Sequence, residues 1–133
     1  MTLRAPVLGA DVIPAQRVVA SPAALDALTL VTPQLLRIAA DEALVLDGGV
    51  EVAAVADPHA IVEDEYAVSG VWVTWAVFHK LIRPHIEWQL PAERPALAQG
   101  LVAFVPAKLY LKDDGVLVMC ATPHVHELME RLQ

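Results

Sequence analysis

A chain of 133 residues with 9 Lys+Arg against 16 Asp+Glu carries a formal net charge of −7, a size that suits one domain and a balance that argues against a basic nucleic-acid binder. Apolar residues make up 56% and charged residues 19%, which excludes disorder as a global description, and 3 Trp, 2 Tyr and 2 Phe are too few and scattered for a base-stacking platform. No apolar run approaches the ~18 residues of a spanning helix; the longest, from Val71 to Phe78, contains Thr74 and is closed by His79 and Lys80.

The N-terminal stretch from Met1 to Pro6 has one cation and no sustained apolar segment, so no signal peptide and no membrane association are expected. The single Cys120 sits in an apolar run, Val116 to Ala121, and reads as a buried, inert thiol; a cytoplasmic location fits these features. So apolar a chain of this length is expected to have part of its surface covered by another chain. A second copy is the simpler assumption, and a different partner would leave the same trace.

Residues 1–15, rich in Pro, Ala and Gly, read as an irregular lead-in to a single domain over 16–133. Gln16 to Val19 is a short strand. Ser21-Pro22 then starts a short helix, Ala23 to about Leu28, because a Ser oxygen caps free amides and Pro is tolerated at the first helical position. Thr32-Pro33 breaks it. Leu35 to Ala39 and Ala43 to Leu46 form a hairpin about Ala40-Asp41-Glu42, followed by an Asp47-Gly48-Gly49 turn and a strand over Val50 to Val55. Ala60 to Val68, with Glu63-Asp64-Glu65, reads as a strand with one wet face or an exposed edge.

From Val71 to Ile82 the residue types favour strand, whereas the length and the cationic end favour helix; Pro84 ends the segment either way. Pro91 and Pro95 bracket a loop or a single helical turn. Leu101 to Leu111 reads as one long strand interrupted at Pro106, Lys112-Asp113-Asp114-Gly115 as a hairpin turn, and Val116 to Ala121 as a core strand. Thr122-Pro123 then caps a terminal helix whose apolar stripe is Val125, Leu128, Met129 and Leu132.

The second half has an order of parts that carries a resemblance. A strand ends in Val68-Ser69-Gly70, a helix-length segment runs to Leu81-Ile82, and a connection follows, Ile86-Glu87-Trp88-Gln89-Leu90. Ala98-Gln99-Gly100 then steps into a strand, a hairpin and a terminal helix. Together with the strand-turn-strand Leu36 to Leu44, this resembles the sarcosine oxidase gamma subunit family and its aminomethyltransferase (glycine-cleavage T-protein)-like domain, over roughly residues 36–132. Ala40 stands where that family usually has Pro; the N-terminus is shorter, and Glu87 and Trp88 in the connection depart from the pattern. The resemblance implies an α+β fold: a mixed, mostly antiparallel sheet with two main helices packed on it, Val71 to Ile82 being one of them. It also implies a small subunit without catalytic residues or cofactor of its own, in a complex whose larger flavin- and folate-binding subunits oxidise N-methyl amines. A stand-alone small enzyme or ligand-binding domain, or a homo-oligomeric structural domain, are the alternatives.

His124 and His126, two apart on a helical turn, point about 200° from each other and read as solvent-facing imidazoles. His85 and Glu87, two apart in an extended segment, would share a face, and His59 could add a third metal ligand, but the spacing matches no zinc pattern and polar loop residues without metal are expected. His79 and Arg83, four apart, would share a helix face able to meet an anion, or simply end the helix with positive charge. Glu63 and Glu65 read as charge that keeps an edge solvated. Ser69 lacks the glycines of a nucleophile elbow and reads as a helix cap, and Gly48-Gly49 is a turn, not a phosphate loop. Trp72, Trp75 and Trp88 read as core or interface aromatics, with a pocket for a small amine or a pterin ring as the alternative. The residues expected at a ligand site or interface are therefore Trp72, Trp75, His79, Arg83 and Trp88.

Overall fold

The computed structural model describes residues 9–133, so the first eight residues of the expected lead-in lie outside the described residues. The described residues divide into two compact units: Ile13–Tyr66 forms one, and Ala67–Gln133 with residues 9–12 forms the other. The class is α+β, and each strand pairing is antiparallel.

In the Ile13–Tyr66 unit, β2 (Ala15–Val19) lies between β4 (Glu42–Leu46) and β5 (Ile61–Glu65), with β3 (Leu35–Ala39) outside β4. Helix α1 (Pro22–Thr29) begins where Ser21 Oγ accepts the Ala24 N–H at 3.2 Å, and it buries Leu25 and Leu28 in a core with Val18, Leu35 and Val45. Arg17 on β2 clasps both neighbouring strands, reaching Glu42 at 2.7 Å and Glu63 at 3.0 Å. The strand expected over Val50 to Val55 is instead a 3₁₀ turn, Val52–Ala54. Its physical reason is Gln16, whose side-chain amide donates to the Val50 carbonyl (3.1 Å) and accepts the Val50 N–H (2.8 Å), leaving neither group for a ladder.

The other unit is built on a five-stranded sheet. Its order is β1 (Asp11–Val12), β6 (Val68–Val73), β9 (Gly115–Ala121), β8 (Val105–Lys112) and β7 (Ala96–Val102). Asp11 and Val12, inside the expected lead-in, pair with Gly70 and Ser69. The helix expected over Val71 to Ile82 is corrected. β-branched Val71 and Val73 stay in β6, and Thr74, whose Oγ1 accepts the Val77 N–H at 3.2 Å, starts α2 (Trp75–Val77). The segment continues as a π-helical turn over Phe78–Ile82 and a 3₁₀ turn over Arg83–His85.

Ser69 is not a helix cap: it lies buried in β6, and its hydroxyl shares a 2.8 Å hydrogen bond with that of Thr122. The single long strand expected over Leu101 to Leu111 is two strands joined by a turn at Ala103 and Phe104, with Val102 opposite Val105. Pro106 fits because the β8–β9 ladder begins only at Ala107, so no ladder bond needs its missing N–H. Helix α3 (Val125–Arg131) puts Leu128, Met129 and Leu132 against the sheet face that carries Val116, Val118, Leu109 and Leu111.

One mixed sheet under two main helices is thus replaced by two antiparallel sheets and, among the described residues, three short α-helices. Hydrophobic alternation tells a strand which face to bury but does not tell it which sheet to join. Phe78, fully buried among Ile82, Leu109 and Leu128, is the largest of the wholly buried side chains. Phe78→Ala is expected to cost about 3–5 kcal/mol, read as a lowered midpoint in urea unfolding of the full chain.

Candidate functional site

The turn between β7 and β8 has positive φ at both central residues, 50° at Ala103 and 67° at Phe104, the backbone of a type I′ hairpin. Gly or Asn ordinarily fills these positions, since left-handed backbone costs other residues roughly 1–2 kcal/mol each. The turn is held from two sides. The Ala103 N–H donates to the His85 carbonyl at 3.1 Å, and Arg131 of α3 donates to the Ala103 carbonyl at 2.7 Å. Ala103 is buried, while the Phe104 ring stands 78% exposed at the tip.

Beside this tip the chain arriving from Pro84 lays Trp88 flat on β7. A Cβ on Gly100 would come within 2.4 Å of the indole, so only glycine allows this approach, and the indole N–H donates to the Leu101 carbonyl at 2.8 Å. That bond occupies an outward carbonyl of an edge strand. Between the indole and the turn lies a groove of ≈ 220 Å³, walled by Pro84, His85, Glu87, Trp88, Leu101 and Phe104. Glu87 is exposed, and among the described residues its carboxylate has no hydrogen bond or ion pair.

The five residues expected at a site are distributed as follows. Trp88 walls the groove. Arg83 is exposed, and its guanidinium donates to the Ile86 carbonyl at 3.5 Å. His79 stacks against Trp75, ring centres 5.6 Å apart, and the other flank of Trp75 meets Phe78 and the Arg94 guanidinium, 4.7 Å from its ring centre. The Trp75 N–H donates to the Lys112 carbonyl at 2.8 Å. Trp72 lies on β6, half exposed, 6.1 Å from Tyr110 with the Lys112 ammonium above its ring. Of the candidate metal ligands, His85 and Glu87 both reach the groove, whereas the His59 N–H is bound by the Asp57 carboxylate in the Ile13–Tyr66 unit. Among the described residues no group of three or more His, Cys, Asp or Glu could hold a metal ion.

Elsewhere the polar groups serve the fold. Glu63 is taken by Arg17, and the Tyr66 hydroxyl donates to Asp64, which raises the Tyr66 pKa. Burial pushes the Cys120 thiol up, away from the reactive thiolate. The N–H groups of His59 and Ser21 hold the Asp57 carboxyl below its ordinary range. A second hollow of ≈ 230 Å³ lies beside Gln16, Asp47, Gly48, Asp64 and Tyr66, but Gln16 is committed to Val50 and Tyr66 to Asp64.

Sequence reasoning missed Phe104 and Leu101. The signal available was a slip of phase: the positions of the two strands that face the core run Ala98, Val102, then Val105, Ala107, Leu109, Leu111, with a step of three across the turn where the period is two. No protein-family model and no curated protein matches the chain.

Two measurements follow from this geometry. Gly100→Ala is expected to drive Trp88 off β7 and cost about 1–3 kcal/mol, with the indole N–H becoming rapidly exchangeable in NMR. Asp57 stabilises through its ionised form, since its folded pKa is depressed; the contribution is full above the unfolded carboxyl range and disappears as pH falls through the folded value. The melting-temperature gap between wild type and Asp57→Ala is therefore expected to be constant near neutrality and to close below about pH 4.

Proposed function

We propose that the chain is a non-catalytic assembly module: the small, gamma-type subunit of a heteromeric oxidase of N-methyl amines, with flavin and folate held by larger partner subunits. The observation that supports assembly is Phe104. A large aromatic ring stands in the open on a left-handed backbone that is itself anchored by His85 and Arg131. Burying such a ring in an interface recovers roughly 1.5–3 kcal/mol, and rigid aromatic anchors of this kind concentrate at interface centres.

The titratable side chains support a non-catalytic role, because many of them serve as ties within the fold: Arg17, Arg37, Asp57 and Arg131 each bind across elements. The resemblance over residues 36–132 supplies the nature of the partners. The test is co-expression with the large flavin- and folate-binding chains of the same host, followed by size exclusion with light scattering. Wild type is expected in a complex well above monomer mass. Phe104→Gly is expected to weaken that complex tenfold or more, while relief of the left-handed backbone adds about 1 kcal/mol of stability, a rise of a few degrees in Tm. A wild-type chain that stays monomeric with every such partner overturns the reading.

A further inference from the structure

We propose that the groove between Trp88 and Phe104 receives an arginine side chain from a protein partner; this rests on the assembly reading and names the chemistry of its contact. Three features of the groove select a guanidinium. Trp88 is fixed by its indole N–H bond to Leu101 and backed by Gly100, so the ring face turned away from β7 is a rigid aromatic platform. Glu87 brings an unpaired carboxylate to the same space, and Phe104 closes it with a second ring. A planar cation can stack on an indole and donate two parallel hydrogen bonds to a carboxylate, whereas an ammonium offers neither the plane nor the fork.

The cations already near the groove do not fill this role. Arg83 is turned to the Ile86 carbonyl, and Arg131 is held by the Ala103 carbonyl and Glu127. Glu87 is left as the uncompensated charge at the rim of a chain whose net charge is −7. A side chain delivered by a protein fits better than a free small molecule. At ≈ 220 Å³ the groove is smaller than pockets that enclose drug-sized ligands, roughly 300–1,000 Å³, and its rim continues outward as exposed apolar surface at Phe104 and Leu101. That rim has use only for residues flanking the arginine.

The experiment is a ¹H–¹⁵N NMR titration of the full chain, following the Trp88 indole N–H and the Phe104 amide. The probes are acetyl-Leu-Arg-Leu-amide, acetyl-Leu-Lys-Leu-amide and N-acetyl-arginine-amide. The Leu-Arg-Leu peptide is expected to shift both signals saturably, with affinity several-fold above the lysine peptide and about tenfold above N-acetyl-arginine-amide. Glu87→Gln should lower its affinity about tenfold and remove most of its salt dependence. Failure of the arginine peptide to move the Trp88 signal overturns the proposal, as does an unchanged affinity in Glu87→Gln. Equal affinity for N-acetyl-arginine-amide also overturns it, in favour of a free small cation. Light scattering separates this from the wider reading: a complex that forms with Glu87→Gln as well as with wild type leaves the assembly role standing and removes the groove from its interface.

Discussion

The two-residue turn at Ala103 and Phe104 is the constraint on which the larger sheet depends, because a hairpin loop of fixed length sets strand register. With Val102 opposite Val105, the residues Ala98, Val102, Val105, Ala107, Leu109 and Leu111 all fall on the face that meets Phe78, Ile82 and Leu128. A slip of one residue would put the buried residues of one strand on the face opposite those of the other. The backbone needed for this turn is unfavourable for both of its residues, so it persists only because the His85 carbonyl and Arg131 hold it from outside the hairpin. The same two ties join the helical segment and the terminal helix to the sheet. Register, helix docking and the presentation of Phe104 are one problem with one solution.

Side chains repeatedly complete backbone hydrogen bonding where regular elements stop. Gln16 takes both groups of Val50, Trp75 meets the Lys112 carbonyl, Trp88 meets the Leu101 carbonyl, and Arg37 gathers the carbonyls of Ala39 and Ala40 while pairing with Asp26. Short helices leave many loop groups to satisfy, and a buried group left unpaired would cost more than these bonds individually contribute. Of the residues that drew attention as chemistry, Trp75, Trp88 and Arg83 are spent in this way. Glu87 stands apart among the groove residues because, among the described residues, its carboxylate has no hydrogen bond or ion pair. That contrast, together with the exposed Phe104, supports reading the surface as one made for contact with another chain.

Much of the local structure was legible in the residues because its causes are local. The Ser21-Pro22 helix start, the hairpin about Ala40 to Glu42, the Asp113-Asp114 turn, the buried Cys120 and the stripe of the terminal helix each follow from a cap, a turn residue or a period that neighbouring positions carry by themselves. The misreadings share a different cause. Val50 to Val55 has the composition of a strand, but Gln16, 34 residues earlier, claims the backbone of Val50. Trp72 and Trp75, three apart in one apolar run, part at Thr74 into a strand and a helix, so one faces solvent and the other packs under Arg94.

By itself the sequence determined the class, the alternation of buried and exposed positions, the Ser21-Pro22 helix start and most of the turns, since these rest on side-chain volume, period and capping chemistry within a few residues. Only the tertiary structure decided how strands sort into two sheets, that a turn lies at Ala103 and Phe104, and that Trp88, Glu87 and Phe104 surround one groove. The reason is that the deciding contacts, Arg131 and His85 on the turn and Gly100 beneath Trp88, join residues 12 to 28 positions apart. Their energies override a local propensity that points elsewhere, and no local pattern records them.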